Sequence, residues 1–343
     1  MYASSMADSP WINPDHLVVA HRLKMWYPVQ SGLFSKTRYV KAVDDVSISI
    51  GKGETVAVIG ESGSGKSSLG RTLLRLYKLN GGSLIFDGKD ITKASESSIA
   101  WFRRRAQMIF QDPFSAINPF HNIKFILEEP LIIHGVGGSA AEREEMVIRT
   151  LNEMKMNPPE DYLFKYPHML SGGQRQRIAI GRAVILRPDF IVADEPVSML
   201  DASVRVEILT LLKEIQQKMN IAFLYITHDI STAKYFSDRI AILYAGKLAE
   251  IGPYRSVIKD PAHPYTQALI EAIPDPDPSN RFKDRKIVGG DPPNLINPPR
   301  GCRIYPRGAG SIPGVHLQWI YAEGKNRPWW RSRTAYTLLV GCT

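Results

Sequence analysis

The chain has 343 residues, a length that suits one large or two modest domains. Hydrophobic residues make up 44% and charged residues 22%, a balance that excludes a disordered chain and leaves ample material for a core. The formal net charge of +9 sits in short, scattered clusters (103–105, 175–182 and 327–333), none a long basic tract interleaved with aromatics, so no nucleic-acid partner is expected.

Met1 to Pro14 lacks the charged-then-apolar order of a secretory signal. From about Leu17 to Ile59 the chain reads as strands with turns. Val43, Val46, Ile48 and Ile50 are spaced for a half-buried strand, and Gly51-Lys52-Gly53 turns the chain. Thr55 to Ile59 is a buried strand that runs into a glycine-rich loop. A helix follows from about Ser67 to Tyr77, with Leu69, Leu73, Leu74 and Leu76 on its apolar face. Gly81-Gly82 and Asp87-Gly88 bracket a short strand at Ser83 to Phe86. From about Ala116 to Met169 the pattern turns helical, most clearly over Glu142 to Met156. Phe190 to Ala193 and Ala222 to Ile226 are buried strands on either side of an amphipathic helix, Val204 to Met219. The longest apolar runs, such as Ile221 to Thr227, fall far short of the ~18–20 residues that cross a bilayer. Arg239–Tyr244 and Lys247–Ile251, joined at Ala245-Gly246, predict a closing hairpin. After Asp260 the texture becomes Pro-rich without a strong period. Alternating helix and apolar strand implies an α/β fold with a parallel sheet covered on both faces. No internal repeat is visible, so one catalytic core is expected. Two cysteines, Cys302 and Cys342, cannot build a disulfide framework, which fits a reducing compartment.

Four segments carry chemistry. Gly60-Glu61-Ser62-Gly63-Ser64-Gly65-Lys66-Ser67 matches G-x-x-x-x-G-K-[ST] and lies where that pattern works, after an apolar strand and before a helix. Its glycines let backbone N–H groups converge on phosphate oxygens at the positive end of the helix. Lys66 supplies charge for the β- and γ-phosphates, the Ser67 hydroxyl can ligate Mg²⁺, and Ser68 continues the helix start. The strand Phe190–Ala193 ends in Asp194-Glu195, placing two carboxylates at the sheet's C-terminal edge. Asp194 is expected on the Mg²⁺ water shell and Glu195 as general base toward the attacking water. Two acids at a strand end are, alone, more often a solvated edge; the phosphate loop reverses that weighting. Gln111 and His228 have the same strand-end placement, and a lone His there is usually an ordinary surface residue. Leu170-Ser171-Gly172-Gly173-Gln174 starts a helix over Arg177 to Ile185, giving a second helix N-terminus able to hold phosphate.

In this order the segments resemble the ABC ATPase family over roughly Leu17 to Pro274. The resemblance gives a Walker A loop at Gly60–Ser67, a Q-loop at Gln111 and an LSGGQ signature at Leu170–Gln174. It also gives a Walker B strand at Phe190–Asp194 with Glu195, a D-loop at Ser198–Asp201 and a switch at His228. Met199 stands where alanine is commoner, and Asp201 is in place. The implied fold is a P-loop NTPase domain at 15–260. It combines a RecA-like core, an antiparallel β subdomain and an inserted α-helical subdomain at about 112–182. The implied catalytic residues are Glu195, His228 and Gln111, with Ser67, Gln111 and Asp194 at Mg²⁺. ATP would be held by residues 60–68, by Tyr39 (Phe34 second) stacking on adenine, and by Ser171, Gly172, Gly173, Gln174 and Asp201 from a head-to-tail partner ATPase.

Gln111-Asp112-Pro113-Phe114-Ser115-Ala116-Ile117-Asn118-Pro119 and Asp260-Pro261-Ala262-His263-Pro264-Tyr265-Thr266 further resemble the dipeptide/oligopeptide importer ATPases. That implies two membrane permease subunits, an extracytoplasmic solute-binding protein and a peripheral place on the cytoplasmic face. The cargo would be peptides, or the nickel, glutathione or oligosaccharides that some members carry. The extension at 261–343 keeps Gly301-Cys302-Arg303-Ile304-Tyr305-Pro306-Arg307, close to the subgroup's Gly-Cys-x-Phe-x-Pro-Arg-Cys. Gly308 stands where the next Cys is expected, so no four-thiolate cluster can form, and the sequence beyond is atypical. Two rival classes are weighed. A non-transport ABC protein of translation or DNA repair would bring tandem cassettes or long coiled coils, and a P-loop kinase or GTPase would leave Leu170–Gln174 unexplained.

Overall fold

The computed structural model describes residues 13, 15–30, 36–113, 117–272, 290–299, 302–307 and 338–339. Phe34, residues 114–116 of the importer-like segment, Gly301 and, apart from 338–339, everything from Gly308 on lie outside the described residues.

Strands β3 (Thr55–Ile59), β6 (Ala106–Ile109), β7 (Phe190–Asp194), β8 (Ala222–Ile226) and β9 (Arg239–Tyr244) pair in parallel in the order β9-β3-β8-β7-β6. The pleat explains why their sequences read as unbroken apolar runs. Ala57, Ile59, Ile191, Ala193, Phe223 and Tyr225 enter the core on the face that also packs the main body of helices. Val56, Val58, Phe190, Val192, Leu224 and Ile226 enter the other, beneath a second sheet. That second sheet is antiparallel, in the order β2-β1-β4-β5, from β1 (Val18–Val29), β2 (Arg38–Ile50), β4 (Gly81–Phe86) and β5 (Lys89–Asp90). The hairpin to β10 (Lys247–Pro253) turns at Ala245 (φ 47°) and Gly246 (φ 83°), as expected. A two-residue strand, β11 (Leu338–Leu339), pairs with the outer edge of β10.

Helix α1 (Lys66–Leu73) lies between the sheets, with Leu69 and Leu73 buried. It approaches so closely that a Cβ on Gly70 would stand 2.7 Å from Val192 and 2.8 Å from Ile226. The helix is shorter than the leucine spacing predicts. Arg75 takes a left-handed φ of 55°, its guanidinium donates to the carbonyls of Ile91 and Ala94, and Leu76 turns outward, 48% exposed. The short helix α2 (Ala100–Arg105) leads into β6.

Helices α3 (Ile123–Ile133), α4 (Ala140–Glu153), α5 (Glu160–Leu163) and α6 (Gly172–Val184) pack through Ile126, Leu127, Val147, Leu151, Leu163 and Ile178. Asn122, Ser139 and Ser171 cap three of them by accepting first-turn N–H groups. Helix α7 (Ala202–Met219) links β7 to β8, and α8 (Ile230–Phe236) links β8 to β9. Arginines of the basic clusters at 103–105 and 175–182 are held in ion pairs. Arg105 pairs with Asp87 and Asp189, Arg177 with Glu207, and Arg182 with Glu129. Such half-exposed pairs contribute only ~0–1 kcal/mol each, so they orient elements while the two cores hold the fold.

Beyond α9 (Tyr254–Lys259) the Pro-rich region is more regular than its composition suggests. Helix α10 (Pro264–Glu271) opens with proline at its first position and His263 Nδ1 capping the Tyr265 N–H. The fully buried Glu250 of β10 accepts the N–H groups of Ala262 and His263. Tyr265 is buried in the main core.

Candidate active site

Strands β3, β6, β7 and β8 end at one edge of the parallel sheet, and the residues singled out in sequence follow those ends. Gly65 must be glycine: its φ is 101°, and a Cβ there would meet the Ala42 carbonyl oxygen at 2.1 Å. The bend delivers Lys66 as the first residue of α1, with no side-chain cap on that helix start. Lys66 is 7% exposed, and its Nζ donates to the carbonyls of Gly60 and Glu61 at 2.8 Å each. Burial lowers its pKa, and Glu195, Asp194 and Glu61 push it back up. Ser62 and Gly63 are exposed, nothing stands within 4 Å of the Cβ position of Gly63, and the buried Ser64 Oγ has no partner. An open cradle lined by backbone, a buried cation and an orphaned hydroxyl fits a phosphate chain.

Ser67 Oγ donates to Asp194 Oδ1 at 2.8 Å. Burial raises the Asp194 pKa, while Ser67 and the nearby Arg71 oppose the shift. These two hard oxygen donors fit Mg²⁺, which takes few protein ligands and completes its octahedron with water and phosphate. Ser68 Oγ lies 3.2 Å from Tyr27 Oη on β1, so its side chain braces α1 against the second sheet.

The three expected catalytic residues come together. Glu195 holds a left-handed φ of 46°, and its N–H donates to Ile226 O at 2.9 Å, locking the turn after β7 to the end of β8. Its Oε2 accepts from Gln111 Nε2 at 3.1 Å and lies 3.2 Å from His228 Nδ1. The Glu195 side chain is 17% exposed and that of His228 62%, so the carboxylate is nested while the imidazole faces solvent.

The Leu170–Gln174 residues stand elsewhere. Ser171 caps α6: its Oγ accepts the Gln174 N–H at 3.3 Å, and the Gln174 side chain accepts the Ser171 N–H at 3.0 Å. Ser171 and Gly172 are exposed, and among the described residues Gln174 reaches on only to Tyr162 Oη. Asp201 is exposed at the start of α7, with no side-chain cap bond. Tyr39 is 42% exposed on β2, with Trp26 at 6.3 Å between ring centroids. Sequence reasoning missed that Tyr265 and Arg307 both touch Glu61 of the loop. The Asp260–Thr266 motif was the available signal, read only as a mark of subgroup.

Sheet, loop and acid cluster together define a P-loop ATPase. Residues 43–198 match the family described as ABC transporter, and residues 249–310 match the oligopeptide/dipeptide transporter C-terminal region. The oligopeptide transport ATP-binding protein AppF of Bacillus subtilis (strain 168) is 41% identical over 298 residues, covering 86% of this chain and 90% of that protein. The dipeptide transport ATP-binding protein DppF of Haemophilus influenzae is 42% identical over 291 residues, covering 85% and 88%. Among solved structures, the ATP-binding cassette MJ0796, in a dimeric post-hydrolysis state bound to ADP and Pi, is similar with TM-score 0.61 and 28% identity. That match covers 69% of this chain and 99% of that one. The chain belongs to the ABC transporter ATP-binding proteins, in the oligopeptide/dipeptide transport branch. The translation or DNA-repair alternative finds no support in these relatives.

Proposed function

We propose that this chain hydrolyses ATP to power import of di- or oligopeptides. It would work on the cytoplasmic face of a membrane with two permease subunits, a partner ATPase and an extracytoplasmic binding protein. One observation carries the catalytic part: Gln111 and His228, from two other strand ends, converge on one carboxylate oxygen of Glu195. The match of residues 249–310 and the relatives' names support peptide as the cargo.

Residues 60–68 would bind the phosphates, with Lys66 countering the β/γ charge and backbone N–H groups at the uncapped start of α1 orienting the oxygens. Ser67 and Asp194 would hold Mg²⁺, which when bound would supply charge neutralisation. Glu195 holds the water and takes its proton, Gln111 fixes the carboxylate's rotamer, and His228 carries the contact toward the γ-phosphate. Tyr39 would stack on adenine. Ser171, Gly172, Gly173, Gln174 and Asp201 would meet the nucleotide of the partner ATPase, consistent with the exposure of Ser171, Gly172 and Asp201 and with the dimeric state of MJ0796. We take 15–260 as the motor, with the helical arm at about 112–182, and 261–343 as the extension. Phe120, Ile133 and Phe164 on that arm are 86%, 69% and 69% exposed, apolar surface suited to a membrane subunit. No helix among the described residues is long and apolar enough to cross a membrane.

The test is affinity purification of the tagged chain from detergent-solubilised membranes, followed by ATPase assay with peptide-loaded binding protein. Two hydrophobic subunits should copurify, and loaded binding protein should stimulate hydrolysis. A chain that purifies alone and ignores peptide would refute the importer reading.

A further inference from the structure

Every polar group of Glu61, the second residue of the phosphate loop, is occupied, and two of its partners come from beyond residue 260. Its carbonyl accepts from Lys66 Nζ at 2.8 Å and from the Ser64 N–H at 3.1 Å, both within the loop. Its N–H donates to Tyr265 Oη at 3.0 Å. Its carboxylate receives Arg307, whose Nη1 lies 2.9 and 2.7 Å from the two oxygens. The Arg307 side chain is only 9% exposed, so this pair is sheltered from solvent screening on the arginine side.

The surroundings are built to hold these contacts. Tyr265 is 1% exposed, and burial keeps its phenol well above its ordinary pKa, so the hydroxyl stays protonated. Its ring packs 4.4 Å from that of Tyr244, over which the Arg307 guanidinium lies at 6.0 Å. The same arm grips the wall behind the loop. Arg303, buried, binds the Ala245 carbonyl and Asp44, and the Lys41 N–H donates to Leu295 O at 3.0 Å. Next along β2 is Ala42, whose carbonyl leaves no room for a Cβ on Gly65, and the Gly246 N–H donates to Ser64 O at 2.8 Å.

A carboxylate on a loop that accepts polyphosphate is an electrostatic liability unless it is neutralised and turned aside. We propose that Arg307 and Tyr265 are positioning residues for the nucleotide site: the C-terminal arm clamps Glu61, fixes the loop's path and cancels its charge. This rests on the reading of Gly60–Ser67 as the phosphate loop. The arm's contacts described above run to Glu61, Asp44, Ala245 and Lys41, in the phosphate loop and the wall behind it, so it governs ATP affinity rather than the hydrolytic step.

The experiment uses the full chain, MgATP calorimetry, and KM and kcat for hydrolysis. Arg307→Ala should bind MgATP about ten-fold more weakly, the value of one charge-assisted contact, with kcat within about two-fold. Glu61→Gln in the same chain should restore part of that affinity, and Arg307→Lys should retain most of it. Tyr265→Phe, which keeps the ring and removes the hydroxyl, should weaken binding about three-fold and carries the test if Arg307→Ala fails to fold. Unchanged affinity in Arg307→Ala or Tyr265→Phe, a loss confined to kcat, or no rescue by Glu61→Gln would overturn the clamp. Lys66→Ala separates the two readings. Weak binding there with normal binding in Arg307→Ala sinks the clamp alone, while normal binding in both sinks the phosphate loop as well.

Discussion

Two helix starts, α1 at Lys66 and α6 at Gly172, are expected to face phosphate, and the fold treats them in opposite ways. The start of α1 is shielded: Lys66 is buried, no side chain caps the helix, and its neighbours Asp194 and Glu195 lie at the ends of an internal sheet. The start of α6 is exposed and self-sufficient, with Ser171 and Gln174 satisfying each other in a reciprocal cap. An uncapped shielded start leaves its donors to a ligand, whereas a capped exposed start is stable alone and can present itself to another surface. The contrast fits the proposed composite site, in which the α1 half binds the nucleotide and the exposed α6 half would meet the nucleotide of a partner.

The largest expected effect separates chemistry from pairing. Glu195→Gln should lower kcat by about 10²–10⁴-fold, the range of a lost general base, while leaving ATP binding and pairing intact. Steady-state turnover near normal would remove Glu195 from its role. Next, Lys66→Ala should weaken ATP binding about 10–100-fold, since the β/γ charge loses a buried ammonium with little solvent screening. Calorimetry showing unchanged affinity would erase the distinction between the two starts. Ser171→Arg should weaken ATP-driven pairing at least about ten-fold while sparing binding to the single subunit, because bulk and charge meet the facing subunit. ATP-dependent dimers persisting in sizing chromatography would contradict that.

The smallest effect is a pH-dependent one at Asp194. Burial raises its folded pKa, so its ionised form costs stability at neutral pH. Asp194→Asn should therefore raise the melting temperature of the nucleotide-free protein by a few degrees at pH 7. The wild type gains on the variant as pH falls through the raised folded value, and the gap closes below the ordinary carboxylate pKa. A gap that widens toward acid would show the burial argument to be wrong.

Much of this site is legible locally. The motifs at 60–67, 111, 194–195 and 228 sit at strand ends that apolar runs announce, and a parallel sheet carries all its C-terminal ends to one edge. The end of α1 is not legible, because Leu74 and Leu76 continue a plausible apolar spacing past the point where Arg75 breaks the helix to serve distant carbonyls. Nor is the clamp on Glu61 legible. Arg307 lies 246 positions away, and no periodicity relates a Pro-rich segment to a glycine-rich loop. The contact of the Ser68 hydroxyl with Tyr27 is not legible either, since it is set by the stacking of two sheets rather than by spacing.

In the proposed assembly the exposed start of α6 completes the shielded start of α1 across a subunit boundary. The most direct measurement is a structure of the MgATP-loaded Glu195→Gln complex with its partner ATPase. Ser171 of one subunit should lie within hydrogen-bond distance of the γ-phosphate that Lys66 of the other holds. Finding Ser171 in solvent, with the γ-phosphate contacted by a single subunit at both sites, would contradict it.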